Sequence, residues 1–122
     1  MNKIGVDIVN ISRMTKLSEA TKKGIFNKAE IERSNTFTSS QAKAEYLAGR
    51  FAAKEALAKA LGVAFTKLKP SEIVVTNLDS GKPVLNLEGQ SKENFPTLKC
   101  EISISHDSPS AIAVVLVEEM NG

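Results

Sequence analysis

Four side chains in this 122-residue sequence have the types and placement to act on a phosphate: Asp7, Glu55, Lys59 and His106. Two carboxylates supply oxygen donors of the kind that, together with phosphate oxygens and water, hold a magnesium ion. A lysine beside them can neutralise phosphate charge, and an imidazole can bond a phosphate or a hydroxyl. The chemistry these groups suit is a reaction at a phosphate or pyrophosphate. Each also has a plain alternative. Glu55 and Lys59 stand in the i, i+4 order of an ordinary helix ion pair, worth a few tenths of a kcal/mol. Asp7 would be merely solvated on an edge strand, and a lone histidine at a strand end is commonly structural. There is no Walker loop, dinucleotide fingerprint or zinc cysteine pair. Ser103 and Ser105 flank His106, but serines on one strand with the histidine do not make an oriented nucleophile–base pair.

The elements that must position these groups are legible in outline. Alanine, leucine, lysine and glutamate dominate from about Ser40 to Leu61 and predict one long helix. Thr38 with Gln41 has the form of a capping box, Ser39 and Ser40 are alternative N-caps, and Gly62 is a C-terminal stop. At about 100° per residue, Leu47, Phe51 and Ala58 fall on one narrow stripe expected to face the core. Glu55 lies roughly 60° from its centre, at the margin, with Lys59 one turn on. Arg50 lies about 140° around the helix from Glu55, too far for one face to serve one site with both.

Lys3 to Ile11 predicts a strand, with Ile4, Val6 and Ile8 on one face and Gly5, Asp7 and Val9 on the other. Short helices are expected from Arg13 to Ala20, behind Ser12 as N-cap, and from Lys28 to Arg33. Val63 to Pro70 reads as irregular, anchored by Phe65 and Leu68. Ile73–Thr76 and Val84–Leu87 predict a hairpin across Asp79-Ser80-Gly81-Lys82-Pro83. Glu88 to Pro96 reads as a polar loop. Cys100–Ser105 and Ile112–Val117 predict a second strand pair, and alternation puts His106 on the face of Ile102 and Ile104. The order is β-α-α-α-ββ-ββ. It implies a single α+β domain over residues 1–122, a mostly antiparallel sheet packed on one long helix.

Composition narrows the partners. Net charge is +2 and aromatic residues are 5% of the chain, a poor footprint for nucleic acid. A charge of that sign tolerates an acidic partner or a phosphorylated ligand. No run is long enough for a membrane span. The single cysteine, Cys100, and an N-terminus that opens on a strand-like run without a signal-peptide pattern predict a cytoplasmic protein.

Three stretches taken together carry a resemblance: Ile4-Gly5-Val6-Asp7-Ile8-Val9; Arg50-Phe51-Ala52-Ala53-Lys54-Glu55-Ala56 with Lys59-Ala60; and Ile102-Ser103-Ile104-Ser105-His106. In that order they resemble the 4′-phosphopantetheinyl transferases, and the short length matches the holo-[acyl carrier protein] synthase type. The resemblance implies transfer of the phosphopantetheine arm of coenzyme A to a serine of apo-acyl carrier protein, with adenosine 3′,5′-bisphosphate as the other product. It implies Mg2+ held by Asp7 and Glu55, with Glu55 and Lys59 catalytic and Lys59 near the pyrophosphate. It further implies Arg50 and His106 as coenzyme A ligands, the Gly81-Lys82-Pro83 turn at the nucleotide end, and Arg13 on the surface that docks the acidic carrier protein. The short members of the family are trimers with sites between subunits, so Arg50 and Glu55 are expected to serve different sites of a homotrimer. Two departures stand out: Asp107 adds a negative charge beside His106, and Ser110 replaces a tyrosine that some relatives carry before the last strand. Two rival functions use the same residues, a hydrolase of nucleotide pyrophosphates and a non-catalytic carrier-protein or nucleotide-binding module.

Overall fold

The computed structural model describes residues 2–118. A 22-residue helix, α3, spans Ser40–Leu61 and is the axis of the fold. The Ser39 hydroxyl caps it by accepting from the Ala42 amide at 3.0 Å, and Gly62 closes it at φ 67°, a left-handed conformation that glycine adopts without strain. The expected stripe of Leu47, Phe51 and Ala58 is too narrow. Ala48, Ala52, Ala53, Ala56 and Leu57 are fully buried, whereas Phe51 is only half-buried. The reason is that α3 is wrapped from more than one side, and a run of alanines lets backbones approach wherever they fall.

A three-stranded antiparallel sheet covers one side, formed by β1 (Lys3–Asn10), β5 (Ser110–Val117) and β4 (Cys100–Asp107) in the order β1-β5-β4. The hairpin of β2 (Ile73–Asn77) and β3 (Pro83–Leu87) forms a separate two-stranded sheet. The α+β class with antiparallel pairing on one long helix is thus observed, with the sheet divided in two. Val9, Val115 and Val117 from the larger sheet, Ile73 and Val75 from the hairpin, and Leu57 of α3 share one core.

On β1, Gly5 and Val9 are buried against α3, and Asp7 lies between them. A Cβ on Gly5 would stand 2.0 Å from the Ala56 carbonyl oxygen and 2.8 Å from the Ala60 amide nitrogen. Only glycine permits that approach of strand to helix. The opposite face of β1 exposes Ile4, Val6 and Ile8, and β5 adds Ile112 and Leu116 to the same outer face.

Two expected elements differ. The helix expected from Arg13 to Ala20 is split into a 3₁₀ helix over Ile11–Lys16 and α1 over Glu19–Ile25. Asn10, not Ser12, caps the first by accepting from the Ser12 amide and hydroxyl. Leu17 is extended, and Ser18 starts the second by accepting from the Thr21 amide. The second helix, α2, runs Lys28–Ser34 as expected, inside a capping box of Asn27 and Glu30. The polar loop expected over residues 88–96 contains a helix, α4 (Gly89–Asn94). Its first amides, those of Gln90 and Ser91, donate to the carboxylate of Glu72, a cap supplied from outside the segment. No described helix is long and apolar enough to cross a membrane.

Candidate active site

The structure brings the proposed chemistry together in two places on α3. The first lies where α3 crosses β1. Lys59 Nζ stands 2.8 Å from Asp7 Oδ1 and also donates to the Val6 carbonyl at 3.3 Å. Asp7 is 15% exposed, so its carboxylate is held at the rim rather than solvated. Hydrogen bonding and charge from Asp7 raise the Lys59 pKa and keep the lysine cationic. Glu55, one turn before Lys59, has its pKa raised first by burial and then by the Asp7 carboxylate, against opposing pulls from Lys59 and Arg13. Arg13, on the 3₁₀ helix after β1, lies with its guanidinium 5.4 Å from the Phe51 ring centre, near this cluster. A cleft of about 450 Å³ adjoins, lined by Glu55, Lys59, Gly62 and Phe65 among others.

Two carboxylates near enough for the charge of one to add to the raised pKa of the other form a donor set suited to a divalent cation. Among the described residues no third histidine, cysteine or carboxylate joins them. A pair of this kind fits magnesium, which keeps its waters and takes substrate phosphate oxygens. It does not fit a closed zinc site, which needs four protein ligands.

The second place lies between α3, the β2–β3 hairpin and the end of β4. A cleft of about 550 Å³ is lined by Arg33, Glu45, Tyr46, Arg50, Asn77, Gly81, Ile104 and His106 among others. Arg50 is 7% exposed. Its guanidinium stacks 4.0 Å from the Tyr46 ring centre and donates to Asn77 Oδ1, while its Nε has no partner. A buried donor left without a partner is uncommon in folded proteins, and this one stands beside a cleft. The Asn77 amide donates to the Gly81 carbonyl at 2.9 Å, which shapes the hairpin tip. His106 shares the cleft with Ile104, as alternation predicts, and its Nδ1 lies 3.5 Å from Glu45 Oε2. Gly81 lines the cleft, whereas Lys82 pairs with Glu101 at 3.0 Å and Pro83 begins β3 opposite Asn77.

Asp7, Glu55 and Lys59 therefore meet, with Arg13 close by. Arg50, Gly81 and His106 meet elsewhere, and no residue lines both clefts. Ser103 and Ser105 face away from His106 along β4. Burial, with Glu101 adding to it, pushes the Cys100 thiol up to about 11, so it is no nucleophile at neutral pH. The sequence reading missed Tyr46, Asn77 and the buried ion pair of Glu30 with Lys54. Asn27-x-x-Glu30 has the spacing of a capping box and was the one local signal for Glu30.

An antiparallel sheet on one long helix, with an aspartate and a glutamate–lysine pair at their crossing, defines the class. A model of the 4′-phosphopantetheinyl transferase superfamily matches residues 3–115, and the chain belongs to that family of transferases. Within the family it is similar to the holo-[acyl-carrier-protein] synthase of Clostridium novyi, 42% identical over 97% of this chain and 88% of that protein. It is also similar to the synthase of Ehrlichia ruminantium, 40% identical over 95% of each. Among solved structures it resembles a holo-(acyl-carrier-protein) synthase from Bacillus anthracis in complex with CoA (3′,5′-ADP). The TM-score is 0.83 at 32% identity, covering 97% of this chain and 96% of that one.

Proposed function

We propose that this protein is a holo-[acyl carrier protein] synthase. It moves 4′-phosphopantetheine from coenzyme A to a serine of apo-acyl carrier protein, with Mg2+, and releases adenosine 3′,5′-bisphosphate. The observation that carries this reading is the meeting of Asp7, Glu55 and Lys59 at the α3–β1 crossing, inside a chain matched by the family along almost its whole length. The relatives named above carry that activity in their names, and one was solved with CoA (3′,5′-ADP).

Asp7 and Glu55 would hold the magnesium ion, which when bound draws charge from the pyrophosphate and makes its phosphorus more electrophilic. The serine oxygen forms a bond to phosphorus as the bond to the 3′,5′-ADP oxygen breaks. Glu55, with its raised pKa, would accept the serine proton, either directly or through an intervening water. Lys59, held cationic, meets the negative charge on the leaving phosphate. Arg50 and His106, which both line the second cleft, hold the nucleotide end. Arg13, with Lys16, Lys22 and Lys23 on the neighbouring helices, offers a basic surface to the acidic carrier protein. The protein acts in the cytoplasm, where its one cysteine stays reduced.

The Arg50 cleft and the Glu55 cluster lie on different sides of α3, and the outer sheet face leaves Ile4 68% and Ile8 65% exposed. The family resemblance implies a homotrimer with sites between subunits, and this exposed apolar face is the surface we assign to that packing.

The test is intact-protein mass spectrometry of an apo-acyl carrier protein incubated with this protein, coenzyme A and magnesium. We expect a gain of one phosphopantetheine group, abolished by chelator and reduced about a hundred-fold or more in initial rate by Glu55→Gln. Coenzyme A cleaved without any acceptor would establish a hydrolase instead. Coenzyme A bound but left intact with several carrier proteins would establish a binding module.

A further inference from the structure

The hairpin that carries Asn77 is held to α3 by an ion pair that no step above uses. Glu30 and Lys54 are both 0% exposed, with Lys54 Nζ 2.7 Å from Glu30 Oε1. Lys54 also donates to the Pro70 carbonyl at 2.8 Å and to the Ile73 carbonyl. Glu30 Oε1 further accepts from the Asn27 amide at 2.9 Å, and Glu30 Oε2 accepts from the Val75 amide at 3.0 Å. The ammonium thus spends all three protons, and the carboxylate accepts three bonds.

The geometry of β2 gives these bonds a meaning. In an antiparallel pair, alternate residues turn their backbone groups toward the partner strand and away from it. β2 pairs with β3 alone, and the Ile73 carbonyl and Val75 amide point to its other edge. A buried edge needs a donor for each carbonyl and an acceptor for each amide. Lys54 is that donor and Glu30 is that acceptor, so two side chains stand in for a missing strand. Asn77, two residues past Val75, meets Arg50 through its side-chain Oδ1, and Arg50 lies one turn before Lys54 on α3. The hairpin is therefore fastened to one line of α3 at two levels, and the second level is the nucleotide cleft.

We propose that Glu30 and Lys54 are positioning residues for the nucleotide end of the site: they clamp the open edge of β2 to α3 and so hold Asn77 and the hairpin tip against Arg50. This rests on the reading of the Arg50–His106 cleft as the coenzyme A site. A role confined to stability would lower the melting temperature and leave the kinetics of the folded protein alone. A positioning role acts through Asn77 and shows in binding.

The experiment is steady-state kinetics of the full chain with varied coenzyme A and fixed carrier protein. The variants are Lys54→Met, the charge-free pair Glu30→Gln/Lys54→Met, Asn77→Ala, and Asn77→Ala added to each. Circular dichroism reports the folded fraction. Where Lys54→Met alone unfolds through the stranded Glu30 carboxylate, the charge-free pair carries the test. We expect KM for coenzyme A to rise about ten-fold with kcat changed less than about two-fold. Asn77→Ala should do the same alone and add little on top, because residues acting through one contact are not additive. A folded charge-free variant with unchanged KM, or a KM effect that multiplies fully with that of Asn77→Ala, would overturn the proposal. If Asn77→Ala and Arg50→Ala both leave KM for coenzyme A unchanged, the cleft reading fails and takes this proposal with it.

Discussion

Glu55 is placed at odds with the stability of the protein that carries it. Burial at the α3–β1 crossing raises its pKa first, and the charge of Asp7 adds to that. A carboxyl raised by folding stabilises the fold while it is protonated, below the pKa it has in the unfolded chain. That contribution is lost as pH rises through the folded value. At neutral pH, ionised Glu55 therefore costs stability in metal-free protein. Glu55→Gln should raise the melting temperature at neutral pH, and the gain should shrink as pH falls to well below about 4, where Glu55 is protonated in the folded and the unfolded chain alike. Thermal melts across that range check the sign, and a lower melting temperature at neutral pH would refute it. The same substitution is expected to lower turnover about a hundred-fold or more, so stability and activity should move in opposite directions.

At the scale of elements, the contact that matters most is that of β1 with α3. Asp7 reaches Lys59 because Gly5, two residues earlier, lets the strand backbone touch the helix backbone at Ala56. An alanine there must push strand from helix, since the obstructing atom is a backbone oxygen with no rotamer to change. We expect Gly5→Ala to destabilise the protein by about 3 kcal/mol, the upper part of the range for overpacking. It should also weaken turnover in the fraction that remains folded, by parting Asp7 from Glu55. Urea unfolding followed by circular dichroism measures the first effect. A change within about 0.5 kcal/mol, the range of surface substitutions, would mean the two backbones can separate freely.

The whole molecule has a sheet that is covered on one face only. Ile4, Val6, Ile8, Ile112 and Leu116 form an exposed apolar surface on β1 and β5. Patches of contiguous large apolar groups on a folded chain mark interfaces. If copies join there and share sites, two inactive variants should rescue each other. We expect Glu55→Gln and Arg50→Ala, each poorly active alone, to regain turnover when unfolded and refolded together, because some mixed sites pair an intact Glu55 with an intact Arg50. Sedimentation of Ile8→Lys should show monomers. Failure of rescue between variants that do form mixed oligomers would place Arg50 and Glu55 in one site of one chain.

Local signals in the sequence determined a good part of this protein. Helix α3 and its Gly62 stop, the strands, and the pairing of Glu55 with Lys59 on one side of the helix follow from propensity, capping and periodicity, all of which act within a few residues, although the cap is Ser39 rather than the Thr38–Gln41 box. The alternation of β1 put Asp7 on the face of Gly5 and Val9, and that of β4 put His106 with Ile104. The Ile4–Val9, Arg50–Ala60 and Ile102–His106 stretches carried the family, which the match over residues 3–115 bears out. Other features depended on groups distant along the chain. Helix α4 reads as a loop because its cap, Glu72, comes from the far side of the hairpin. Helix α3 is buried beyond its expected stripe because the hairpin and the large sheet both pack on it. Lys54 has no partner within its own helix, and its bonds to Glu30 and the open edge of β2 come from segments distant along the chain. Whether a charge is solvated or buried is decided by what packs over it, and only the tertiary structure supplies that.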